Sequence, residues 1–163
     1  MAIRLIIGVG QSLRRDDAAG LAAIKRWQEH FPEHAGDSDL IVACVELPGI
    51  ALLDHLANAE QGLIVDAVSS GAHPGRLHRL AEQDVADFVQ GSVSAHGWGV
   101  AETLALGRRL QPERMPAQVD ILGIEVMDVS LGEGLSLDVG AAIDFAASEI
   151  EAWLKNPGEW GRK

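Results

Sequence analysis

Ile6-Ile7-Gly8-Val9-Gly10-Gln11-Ser12-Leu13-Arg14-Arg15-Asp16-Asp17-Ala18-Ala19-Gly20 is the stretch from which the fold can be read. An apolar run, Ile3 to Ile7, stops at two glycines, and an amphipathic segment begins just past the paired aspartates. That order predicts a buried strand, a tight loop and a helix entered through acidic residues. Gly8 and Gly10 allow a sharp turn and a close approach to the backbone. Asp16 and Asp17 stand where a helix N-terminus favours negative charge, so one reading is that both only cap a helix. A dinucleotide fingerprint would need glycine at position 13, which is Leu13, and a P-loop would need Gly-Lys-Ser/Thr where the aspartates stand. Two carboxylates there repel a phosphate and welcome a cation.

Outward from this stretch, apolar runs and amphipathic segments alternate. Ala18 to Phe31 reads as a helix with Leu21, Ala22, Ile24 and Trp27 on one stripe. Leu40 to Val45 reads as a buried parallel strand, Glu46-Leu47-Pro48-Gly49 as its exit loop, and Ile50 to Ala59 as a short helix. Gly62 to Val68 is the next strand and carries Asp66 in its last turn. Arg76 to Leu80 alternates polar and apolar residues, as an edge or antiparallel strand does. Glu82 to Gly91 is weakly helical, and a second glycine-rich loop, Ser92 to Gly99, feeds a helix from Val100 to Leu110. Val119 to Val126 is the last strand, Met127 to Ser136 a loop and Leu137 to Leu154 a closing helix. Alternating units of this kind predict an α/β domain with helices on both faces of a mostly parallel, twisted sheet. Residues 1–155 form the single expected domain, with a flexible tail over 156–163.

The chain has 163 residues, 47% of them apolar, which suits one domain with a proper core. Its longest apolar runs are strand-sized, so no membrane span is expected, and no apolar stretch with a cleavage site follows Arg4 to suggest a signal peptide. A formal net charge of −11 argues against nucleic acid and anionic membranes. Cys44 is the single cysteine, which excludes internal disulfides and fits a reducing cytoplasm; its place in an apolar run predicts a core residue.

Functional groups in such a sheet gather beyond the carboxyl ends of its strands. Asp66 lies between Val65 and Ala67, where a carboxylate is costly unless hydrogen-bonded, paired or bound to a cation. His96, between Ser94 and Gly97, precedes a helix and should be accessible, whereas the other histidines sit mostly in polar segments. A carboxylate from the first loop, one from the third strand and this imidazole could form an O,O,N set. Such a set suits zinc, nickel or a similar divalent ion, with positions open to water or substrate. The competing reading of Asp66 is that it accepts loop amides.

Four segments carry a resemblance to the hydrogenase maturation proteases. They are Gly8-Val9-Gly10-Gln11-x-Leu13-x-x-Asp16-Asp17-x-x-Gly20, Val65-Asp66-Ala67, Ser94-Ala95-His96-x-x-Gly99 and Leu122-Gly123-Ile124-Glu125. Such enzymes trim the C-terminal extension from the large-subunit precursor of a nickel-iron hydrogenase. The resemblance implies a three-layer α/β/α sandwich, phosphorylase/hydrolase-like, and a catalytic, metal-contacting set of Asp17, Asp66 and His96. It also implies substrate contacts at Gly8, Gly10, Gln11, Asp16, Glu46 and Gly49. The metal would be nickel supplied by the substrate, replaceable in a crystal by zinc or cadmium, with no organic cofactor. The implied partner is the precursor alone, met by a cytoplasmic monomer. Gln11 stands where the family usually has Asn, and Asp17 where it often has Glu, so this carboxylate reaches about 1.5 Å less. Glu46-Leu47-Pro48-Gly49 replaces a loop that is commonly Gly-Gly-Thr. No Ser/His/Asp or Cys/His set is evident, which argues against covalent catalysis. The alternative is a non-catalytic metal or small-ligand module on a flavodoxin-like sheet.

Overall fold

The computed structural model describes residues 2–46, 49–89 and 99–160. Strand β1 (Arg4–Val9) is followed by a 3-10 turn (Arg15–Ala18), helix α1 (Ala19–His30) and a short α2 (Pro32–Ala35). Strand β2 (Leu40–Val45), α3 (Ala51–Leu56), β3 (Gln61–Val68), β4 (Leu77–Ala81) and α4 (Glu82–Val89) come next. Helix α5 (Val100–Leu110), β5 (Gln118–Glu125) and α6 (Leu137–Lys155) complete the order. The strands are arranged β2-β1-β3-β5-β4, all parallel except β4, which runs antiparallel to β5.

Side-chain alternation along each strand sends successive residues to opposite faces. Ile6, Leu63 and Leu122 therefore face α1 and α6, where Ile24, Trp27, Ile143, Ile150 and Trp153 cover them. Leu5, Ile7, Ile64 and Ile121 face the other way, against Leu52, Leu53 and Leu56 of α3 and Leu104 of α5. The result is the three-layer α/β/α sandwich that the alternating pattern predicts. Buried polar groups are tied across the layers. The Trp27 indole donates to Glu151 Oε2 at 3.0 Å, and the Trp153 indole donates to Asp120 Oδ2 at 2.9 Å.

Two expectations from sequence fail here. Strand β2, expected to be buried, is parallel but lies partly exposed at the sheet edge, and Cys44 is exposed rather than packed in the core. Its apolar run covers β1 on one side only. Residues 157–160 follow α6. They form a 3-10 turn whose Pro157 carbonyl accepts a bond from Gln118 Nε2. Trp160 is buried beneath the Arg79 guanidinium, 4.9 Å from the ring centroid. Stacking a planar cation on an indole holds the segment down.

Candidate active site

The parallel strands all end at one edge of the sheet, and the two acidic signals of the sequence meet at one corner of it. Gly8 pairs with Val65 in register and ends the β1–β3 pairing, so the next residues, Val9 and Asp66, follow side by side, each still paired with its outer neighbour strand. Helix α1 sits on this corner because Gly20 has no side chain: a Cβ there would fall 2.4 Å from the Val65 carbonyl oxygen and 2.8 Å from that of Val9. Gly10 lets the turn before α1 close down in the same way, since a Cβ at Gly10 would lie 2.1 Å from the Asp17 carbonyl oxygen. The two glycines thus bring the backbones of Asp17 and Asp66 to the same place. Gly8 packs against Ile24. Gly8 and Gly10 are both buried, and both allow this close packing.

Asp17 is 2% and Asp66 8% exposed. One oxygen of Asp17 accepts the Gln11 backbone N–H at 3.0 Å, so the loop after β1 fixes the rotation of that carboxylate. Carboxylates this deeply buried are electrostatically costly, and hydrogen bonds, a proton or a cation must offset the cost of each. His96, the third expected member, lies outside the described residues, as do Leu47 and Pro48 of the loop after β2. Among the described residues no three His, Cys, Asp or Glu side chains gather as a metal site. What the described residues supply is a pair of hard oxygen donors.

Asp16, adjacent in sequence, does something else. It is fully buried, and its carboxylate accepts the backbone N–H groups of Met127, Asp128 and Ser136 and the Ser136 hydroxyl, at 2.6 to 3.0 Å. Burial pushes its pKa up, but these bonds outweigh burial and hold it below the ordinary value. Asp16 has no exposed surface, and its carboxylate clamps the 127–136 loop. Glu46 is exposed and accepts both the Ser12 backbone N–H at 2.8 Å and its hydroxyl at 2.6 Å, which joins the loops after β1 and β2. The Ser12 hydroxyl and amide hold the Glu46 carboxyl below its usual value. Gly49, with φ of 31°, ends the second of these loops.

Glu125, at the end of β5, was visible in the sequence only as part of a motif. It is 1% exposed and accepts the Ser70 N–H at 2.7 Å, the Ser70 hydroxyl at 2.8 Å, the Gly71 N–H at 3.1 Å and His78 Nε2 at 2.9 Å. It thereby fixes the loop that follows the Asp66 strand. The signal that could have found it is the one that found Asp66: an acid closing an otherwise apolar strand. Cys44, though exposed, is a poor nucleophile, because burial of part of its surroundings raises the thiol pKa and suppresses the thiolate. A hollow of about 590 Å³ lies at the opposite edge, by Gln61 and Gln118, far from both carboxylates.

Comparison with known proteins identifies the family and the fold. The hydrogenase maturation protease family model matches residues 47–153. The hydrogenase 2 maturation protease of Escherichia coli (strain K12) is 27% identical over 157 residues, spanning 94% of this chain and 92% of its own. The hydrogenase expression/formation protein HupD of Rhodobacter capsulatus is 27% identical over 155 residues, 91% of this chain and 71% of its own. Among solved structures, the hydrogenase maturating endopeptidase HybD from E. coli superposes with a TM-score of 0.81 at 24% identity, over 96% of this chain and 94% of that one, a likeness of fold. The [NiFe] hydrogenase maturation protease HybD from Thermococcus kodakarensis gives 0.71 at 26% identity, over 92% and 97%. With its strand order, its buried acidic corner and a family match across most of its length, the chain belongs to the hydrogenase maturation proteases and is a proteolytic enzyme.

Proposed function

We propose that this protein removes the C-terminal extension of a nickel-iron hydrogenase large-subunit precursor once nickel has been inserted. The observation that supports the reading is that Asp17 and Asp66 are both buried carboxylates, on a turn and a strand whose backbones Gly10, Gly20 and the β1–β3 register let pack closely. Nickel arrives as part of the substrate, and Asp17, Asp66 and His96 grip it from outside. A precursor without the metal presents nothing for the pair to hold, so cleavage waits for a complete cofactor.

The chemistry is hydrolysis of a peptide bond. Water adds to the carbonyl carbon while a carboxylate of the pair takes its proton, and the C–N bond then breaks as the leaving amine regains a proton. The protease draws on no organic cofactor for this. Gln11, Glu46 and Gly49 stand on the two loops beside the corner and would meet the precursor's tail. The protein is proposed to act as a monomer in the cytoplasm. Among the described residues no helix is long and apolar enough to cross a membrane.

The test mixes the protein with its matched precursor, loaded with nickel or without it, and follows the large subunit on a gel. Shortening only of the nickel-loaded form is expected, and an intact nickel-loaded precursor refutes the reading. Asp66→Asn and His96→Ala should abolish trimming while the far-ultraviolet circular dichroism stays that of the wild type. Normal trimming by either variant removes that residue from the site.

A further inference from the structure

Three features of the turn before α1 stand together and are not explained by packing alone. Arg15 has φ of 44°, a left-handed conformation that a side-chain-bearing residue adopts only when its surroundings impose it. The imposing partner is the 127–136 loop. The Arg15 N–H donates to the Gly132 carbonyl at 3.0 Å, the Gly132 N–H donates to the Leu13 carbonyl at 2.9 Å, and the Asp16 N–H donates to the Asp128 carbonyl at 3.0 Å. Beneath this zip lies the Asp16 carboxylate with its four acceptances from Met127, Asp128 and Ser136.

Ser136 makes the point sharper. It is the N-cap residue of α6, yet its hydroxyl makes no capping bond and turns to Asp16 instead. A helix start has given up its usual partner to complete the environment of this one carboxylate. The next residue in the chain is Asp17, whose N–H donates to the Arg14 carbonyl at 3.0 Å within the same turn.

We propose that Asp16 is a positioning residue: by clamping the 127–136 loop to the strained turn, it sets the place of the Asp17 carboxylate. This rests on the role of Asp17 proposed above. Asp16 never touches substrate. Its effect passes through the backbone of Arg15 and Asp17, so it should appear in the rate of cleavage and, because Asp17 also grips the nickel, in the binding of the precursor.

The experiment uses the full chain as Asp16→Asn, Ser136→Ala and, as an equally structural control distant from the turn, Trp153→Phe, which loses the bond to Asp120. Trimming of nickel-loaded precursor is followed with the protease in excess, at a temperature where each variant is folded. At saturation D16N should cleave about 10- to 100-fold more slowly than wild type. Its half-saturating concentration should rise as well, because a displaced Asp17 holds the precursor's nickel less well. S136A, losing one bond of the set, should slow about fivefold, and W153F should keep the wild-type rate. Independently of activity, D16N should speed amide exchange at residues 15–17 while leaving residues 23–27 of α1 protected. A wild-type cleavage rate in D16N, or an equal loss in W153F, overturns the proposal, as does unchanged exchange at residues 15–17. If D16N does not fold, a wild-type rate in S136A overturns it. A wild-type protein that leaves every precursor intact refutes the function, and the exchange measurement still decides whether Asp16 holds the turn.

Discussion

Replacing Gly10 by alanine tests the corner most directly. The added methyl would sit 2.1 Å from the Asp17 carbonyl oxygen, where about 3.0 Å is the closest real approach, so the turn must yield by about 0.9 Å. The atom it meets is backbone, which cannot rotate aside. Two effects compete in stability. Alanine narrows the unfolded ensemble and by itself would stabilise by about 0.4–1 kcal/mol. Overpacking costs about 1–3 kcal/mol and outweighs this, leaving a net loss of up to about 2.6 kcal/mol. In a chain of 163 residues that lowers the melting temperature by up to about 10 °C. The effect on catalysis is larger, because a reacting group moved by about 1 Å loses about 100-fold in rate. Thermal melts by circular dichroism and gel-based trimming of nickel-loaded precursor read the two effects separately. Gly158→Ala is the control, since a Cβ there meets nothing within 4 Å. A Gly10→Ala protein that melts at or above the wild-type temperature and trims at the wild-type rate would refute the reasoning.

Further predictions concern the neighbouring groups. Glu125→Gln leaves one acceptor where two oxygens served Ser70, Gly71 and His78, and should destabilise by about 2–3 kcal/mol in urea unfolding. Burial raises the Glu125 pKa, but the Ser70 and His78 bonds outweigh it and hold it below the ordinary value. The stability these bonds give is therefore complete above the usual glutamate range and is lost as pH falls through the lower, folded-state pKa. Urea titrations below about pH 4.3 should show that slope in wild type and its reduction in the variant. Cys44→Ser, at an exposed edge, should change stability by less than about 0.5 kcal/mol and leave trimming intact. Loss of trimming in that variant would bring covalent catalysis back.

The layered fold was legible because β1, β3 and β5 are continuous apolar runs between amphipathic segments, and β4 was legible by its alternation. What sequence could not give was lateral order. Leu40 to Val45 is as apolar as a central strand, and only the pairing of β1 with both β2 and β3 puts it at the edge and Cys44 in the open. Asp16 and Asp17 are chemically identical neighbours. Which of them enters the clamp depends on Met127, Asp128 and Ser136, more than a hundred residues away. Trp160 looked like part of a loose tail because its cover, Arg79, comes from β4. Glu125 was hidden for the same reason, its donors being scattered over residues 70–78.

The bond from the Trp27 indole to Glu151 joins the first long helix to the last across nearly the whole sequence. It has a bearing on how the molecule is made. While the nascent chain is on the ribosome, one side of the sheet stays bare until α6 has emerged, because α1 alone cannot cover Leu63 and Leu122. A chain arrested short of residue 150 keeps that side open to chaperones and proteases, so a protease truncated there should be degraded rather than accumulate.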